Sequence, residues 1–223
     1  MKRKKAYQAV AVIFLLLFLS LTYIVTSHVE WLNGFDQTLT KFVRIPFPDW
    51  NHGQRLITSL GNPLVVILFF LISSYWLWSK KQRNEFKWLA INFIGVAGIL
   101  NPLIKFLVRR DRPSIPHLVA ETTYSFPSGH AATSMIFYGT FIFLLPILIS
   151  NRKLALLLQI LLTGLILSIG VSRIYLGVHY PSDIVAGYSL SLTWLCFTYP
   201  YYREGIYPFK TKKQHSKNDS SNE

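Results

Sequence analysis

Charged residues in this chain are confined to short segments separating six long uncharged runs: Ala6–Ser27, Gly61–Ser79, Trp88–Ile104, Ala131–Asn151, Leu154–Ser172 and Ile184–Tyr202. A bilayer core of roughly 30 Å takes about 20 apolar helical residues, so each run is long enough to cross one. The runs lack the apolar–polar alternation of a half-buried strand, and hydrocarbon offers the backbone no water to bond, so helices are expected. The expected fold is therefore all-α, an integral membrane bundle of six transmembrane helices. A composition that is 51% apolar and only 15% charged fits that bundle and not an ordinary soluble domain.

The net charge of +13 raises nucleic acid as a partner, but its distribution gives another answer. Lys2 to Lys5, then Lys80, Lys81, Arg83 and Lys87, then Arg152 and Lys153, then Arg203, Lys210, Lys212, Lys213 and Lys217 fall on alternate connections. Together they hold 15 of the 23 Lys and Arg. By the positive-inside rule that side is cytoplasmic, which places both termini there and makes the basic clusters topology signals. Contact with anionic headgroups is secondary, and no nucleic-acid partner is expected. The first run is too long for a signal-peptide core and no small-residue cleavage site follows it, so it is read as a span. Cys196 is the single cysteine and lies in the sixth run, so no intramolecular disulfide is expected. Residues 1–209 are read as one six-span domain and 210–223 as a polar, unstructured cytoplasmic tail.

Three segments are left facing outward. The first, His28–Asn62, is nearly neutral and carries Phe35, Leu39 and Phe42 at helical spacing. It reads equally as an amphipathic helix in the interface or a loop packed on the bundle. The second gathers Lys105, Arg109, Arg110 and Arg112 against Asp111 and Glu121, and the third adds Arg173. One such lysine would be an ordinary snorkelling side chain. Several cations on the wrong side for topology suit a multiply charged oxyanion such as phosphate.

Directly before the fourth run stands Pro127-Ser128-Gly129-His130. Ser128 can cap the helix, and Gly129 leaves its first N–H groups unobstructed, which makes an anion site or simply a turn into a helix. His179 and Asp183 lie about one helical turn apart, with Pro181 suited to the first turn. The carboxylate can take the Nδ1 proton and leave Nε2 as a free lone pair, although a structural hydrogen bond explains a lone pair of this kind as well. Helix parity brings all of these groups to one membrane face. Two histidines, a carboxylate and several cations at one depth make a phosphoryl-transfer site.

Lys105-x6-Arg112-Pro113, Pro127-Ser-Gly-His130 and Ser172-Arg173-x5-His179-x3-Asp183 together resemble the three-part signature of the type 2 phosphatidic acid phosphatases. The short chain looks like the bacterial branch of phosphatidylglycerophosphatase B and undecaprenyl pyrophosphate phosphatase. The resemblance implies that Lys105, Arg112 and Arg173 hold the phosphate, helped by Ser128 and the Gly129 N–H. It implies a nucleophilic His179 backed by Asp183, with His130 protonating the leaving oxygen and then activating water. It also implies no metal and no cofactor. The substrate expected is a lipid phosphate or pyrophosphate in the bacterial cytoplasmic membrane, met at the outer face: undecaprenyl pyrophosphate, phosphatidylglycerol phosphate or phosphatidic acid. A phosphotransferase, or a lipid transporter that keeps the fold without the chemistry, are the alternatives.

Overall fold

The computed structural model describes residues 2–219, with side chains from 4 to 205. Among these residues there is no strand. The helices are α1 (Lys2–Ser27), α2 (Asn33–Val43), α3 (Asn51–Ser59), α4 (Pro63–Ser79), α5 (Arg83–Phe93), α6 (Asn101–Val108), α7 (Gly129–Leu148), α8 (Arg152–Tyr175) and α9 (Pro181–Asp219). A π-helical turn, Ile94–Leu100, joins α5 and α6 into one continuous run. The expected tail over 210–223 falls where side chains are not described.

Four stretches are long and apolar enough to cross a membrane: residues 4–27, 83–108, 129–148 and 152–175. The pair α3 and α4, bent by 41° across residues 60–62, makes a fifth if it is counted as one span. The sixth expected run lies in α9 and does not stand out in the same way. It is diluted by Ser189, Ser191, Thr193, Thr198 and several tyrosines. Two of those hydroxyls face neighbouring helices: Ser191 bonds the Ala132 carbonyl at 2.9 Å, and Thr198 bonds Asn92 at 3.1 Å.

The bundle is organised around α7. Nearly every residue from His130 to Thr140 is buried, and α8 and α9 pack on either side of it. The outer helices show the opposite pattern. Ile13 and Leu16 on α1, Leu68 and Leu71 on α4, and Ile160 and Leu161 on α8 are all exposed, as lipid-facing residues must be. Polar side chains act as glue inside. Asn92 on α5 donates to Thr140 on α7 at 3.1 Å and accepts from Thr198 on α9, while Trp88 donates to the same threonine.

Local sequence explains where the helices begin. Asn62 caps α4 by accepting from the Leu64 N–H, with Pro63 in the first turn. Asn151 caps α8 by accepting from Lys153 and Leu154, and Ser128 caps α7 by accepting from Ala131. Gly187 allows the closest approach of α9 to α7. A Cβ there would lie 2.9 Å from the Ser128 carbonyl oxygen and 3.1 Å from both Ala131 Cβ and Ala132 N.

The first outer segment is largely helical, but one of its buried residues is unexpected. Phe35, Leu39 and Phe42 of α2 are exposed, whereas Asp36 is the side chain turned inward. The apolar stripe is thus available to the membrane interface, and the acid faces the protein.

Candidate active site

The ends of α6 and α8 meet the starts of α7 and α9, as helix parity requires. The loop from 109 to 128 and the turn from Leu176 to Tyr180 complete the cluster. A cavity of about 550 Å³ opens there, lined among others by Lys105, Arg112, Glu121, Gly129, His130 and His179. Asp183, Arg173 and Ser128 stand behind this lining.

His179 is buried, with Nδ1 3.3 Å from Asp183 Oδ2 and Nε2 3.4 Å from the Arg112 guanidinium. A carboxylate at Nδ1 and a donor facing Nε2 fix the tautomer with its proton on Nδ1. Burial first, then the positive charges of Arg112, Arg173 and Lys105, hold His179 well below the usual histidine pKa. The ring is therefore neutral at physiological pH, with a lone pair turned toward the cations. Asp183 is further fixed by the Tyr180 N–H at 3.0 Å. The Ser128 N–H donates to the Asp183 carbonyl at 3.1 Å, which ties the start of α7 to that of α9.

Arg112 reaches across the site, donating to the carbonyls of Val178 at 2.6 Å and Thr123 at 2.7 Å. Lys105 donates to the Tyr124 carbonyl. Arg173 bonds Thr58 on α3 at 2.9 Å and pairs with Glu121, while its buried Nε has no partner among the described residues. Ser128 is wholly buried and its hydroxyl is engaged as a helix cap, so it stands one step back from the cavity. Gly129 and His130 are at the cavity wall on the first turn of α7.

Two features escape local sequence reasoning. Arg110, one of the four basic residues of its loop, binds Asp183 Oδ1 and the Ser182 hydroxyl through Nη1, both at 2.7 Å. Its Nη2 binds Asp36 at 2.9 Å, and Asp36 also takes the Ser182 N–H and hydroxyl. The inward-turned acid of α2 is thus the far anchor of the residue that grips Asp183. An acid on a helix whose other marked residues form an apolar stripe was the available signal. Glu121 is the second feature. It pairs with Arg112 and Arg173 together, so a carboxylate lies between two guanidinium groups expected to hold phosphate. Among the described residues no three of His, Cys, Asp and Glu are grouped to hold a metal ion.

The PAP2 superfamily profile matches residues 86–206, which contain all three motif segments. The chain belongs to the PAP2 superfamily. It is similar to phosphatidylglycerophosphatase B of Bacillus subtilis (strain 168), with 28% identity over 191 residues, 83% of this chain and 91% of the relative. It is similar to the undecaprenyl-diphosphatase of Sulfolobus acidocaldarius, with 30% identity over 199 residues, 83% and 87% of the two chains. The crystal structure of the first transmembrane PAP2 type phosphatidylglycerolphosphate phosphatase from Bacillus subtilis matches with a TM-score of 0.76 and 27% identity, covering 88% of this chain and 96% of that one. The resemblance read from the three motifs is therefore correct, and this PAP2 chain is an integral membrane protein with that fold.

Proposed function

We propose that this chain is a membrane lipid phosphatase working through a phosphohistidine on His179. Its substrates are undecaprenyl pyrophosphate and/or phosphatidylglycerol phosphate, with phosphatidic acid also within its range. The observation that carries this reading is the neutral, buried His179, held by Asp183 at Nδ1 and aimed by Nε2 at Arg112 beside an open cavity.

The terminal phosphate binds among Lys105, Arg112 and Arg173, whose free Nε supplies one donor, with the Gly129 N–H and the start of α7 behind it. Ser128 holds that helix start in place. Phosphate takes over the two arginines from Glu121. His179 Nε2 attacks phosphorus in line as the bond to the leaving oxygen breaks, and His130, protonated in the complex with the phosphate anion, gives that oxygen its proton. Asp183 stabilises the positive charge that develops on His179. Water then gives a proton to His130 and attacks the phosphohistidine. The P–N bond breaks, inorganic phosphate leaves, and both rings return to their starting states. Cationic side chains carry the charge stabilisation, so the cycle is assigned no metal.

We place α4, α9 and the four stretches named above as six spans, with both termini cytoplasmic and the site at the outer face. The basic connections lie at the helix ends opposite the site, which supports this orientation. An outward site suits a carrier lipid recycled after use outside the cell, which favours undecaprenyl pyrophosphate.

The test is side-by-side turnover of the three lipids by purified protein in excess chelator. Release of inorganic phosphate with no acceptor added is expected. Phosphoryl transfer seen only with an added acceptor would make the chain a phosphotransferase. No turnover of any lipid would favour the transporter reading, and activity restored by a single divalent cation would contradict the metal-free cycle.

A further inference from the structure

The cavity has two chemically different ends. One is lined by Lys105, Arg112, His130 and His179, the other by Ile67, Phe93, Ala97 and Gly98. Asn101 stands where they meet. It opens α6 directly after the π-helical turn, one helical turn before Lys105, and so shares that lysine's face. Its side chain is only 5% exposed and lines the cavity, yet its Nδ2 has no hydrogen-bond partner among the described residues.

Buried amide donors are almost always paired, so an unpaired one in a cavity wall needs an explanation. The other buried asparagine of the same span shows the contrast. Asn92 has its Nδ2 on Thr140 and its Oδ1 taken by Thr198, as a purely structural residue should. Asn101 has the same chemistry without the partner. Its Oδ1 lies 3.7 Å from where a Cβ on Gly129 would stand, which puts the amide beside the residue preceding His130.

We propose that Asn101 is a specificity determinant: its Nδ2 donates to an oxygen of the lipid headgroup on the leaving side of the scissile P–O bond. This deepens the phosphatase reading and rests on it. The cations already serve the oxygens of the phosphoryl group that is transferred. The lipid chain has to leave through the apolar end. Whatever links the two therefore passes Asn101, on the side of the cavity where His130 protonates the leaving oxygen. An uncharged amide donor suits an oxygen one group beyond the bridging one: a glycerol ester oxygen, or an oxygen of the inner phosphate in a lipid diphosphate. A lipid without such an oxygen leaves the amide unpaired and gains nothing from it.

Three detergent-soluble probes separate these cases. Dioctanoyl phosphatidic acid carries ester oxygens, farnesyl diphosphate carries an inner phosphate, and decyl phosphate carries no oxygen beyond the bridging one. Asn101→Ala should lower kcat/KM roughly tenfold on the first two or on one of them, and no more than about twofold on decyl phosphate. Whichever probe loses more identifies the oxygen that is read. Asn101→Leu has a similar branched shape and no charge but lacks the donor, so it should reproduce the pattern in a site that is still filled. Equal losses on all three probes in both variants, or no loss on any, would overturn the proposal. Failure of the unmutated protein to release phosphate from any probe would refute the phosphatase reading itself, a result separable from failure of Asn101 alone.

Discussion

At the scale of single residues, Arg110 decides how firmly the nucleophile is held. Its two ends grip Asp183 and Asp36, and all three side chains are buried. Removing one partner from a buried ion network costs about 3–5 kcal/mol, because the remaining charge is stranded. Arg110→Lys keeps the charge but cannot reach both acids. It should lower kcat by roughly 10- to 100-fold with KM little changed, since a misplaced catalytic group costs on that order. A wild-type kcat in this variant would remove Arg110 from the account. The depressed pKa of His179 gives a second expectation. The unfolded chain takes up a proton below about pH 6.5 while the folded ring does not, so stability is full above that pH and falls as the medium is acidified. The apparent melting temperature should therefore drop more between pH 7 and pH 5 in the native protein than in His179→Asn, by up to about 1.4 kcal/mol of stability per pH unit. Equal drops would contradict a buried neutral ring. The local motifs that name His179, Asp183, His130 and Arg112 were legible because each depends on spacing within one segment. Asp36 was not, because its partners Arg110 and Ser182 lie 74 and 146 residues away and nothing local encodes that pairing.

At the scale of elements, the approach of α9 to the start of α7 sets the site. The backbone atoms that a Cβ at Gly187 would meet are those of Ser128 and Ala132, which cannot swing aside as a flexible side chain can. Gly187→Ala should push α9 outward and move Asp183, one turn away, from its bond with the Ser128 N–H. We expect a stability cost of about 1–3 kcal/mol and a fall in kcat that exceeds any effect on KM. Unchanged turnover would show that this helix contact does not position the chemistry. The helical character of the bundle could be read from charge-free stretches, four of which are long and apolar enough to cross a membrane, because hydrocarbon imposes length and composition directly. The π-helical turn at Ile94–Leu100 and the bend between α3 and α4 could not. Both arise from packing and backbone geometry that an apolar run does not reveal. The polarity of α9 has a similar origin, since Ser182, Ser191 and Thr198 bond residues of neighbouring helices.

At the scale of the whole molecule, topology and chemistry make one statement. Ser114 lies exposed in the loop beside the site, and Lys81 lies exposed between α4 and α5 at the opposite end. With Cys196 replaced, Ser114→Cys should react with a membrane-impermeant thiol reagent in intact cells, and Lys81→Cys only after the membrane is opened. The reverse pattern would turn the molecule over and remove the reason for preferring a carrier lipid on the outer leaflet. The central claim, however, is the nucleophile. The most direct measurement is rapid quenching of purified protein during turnover of a lipid carrying a labelled terminal phosphate, followed by mapping of the label. Phosphate is expected on Nε2 of His179, none in His179→Asn, and a phosphoenzyme that persists in His130→Asn because its hydrolysis is slowed. Label on any other residue, or continued turnover by His179→Asn, would contradict that claim.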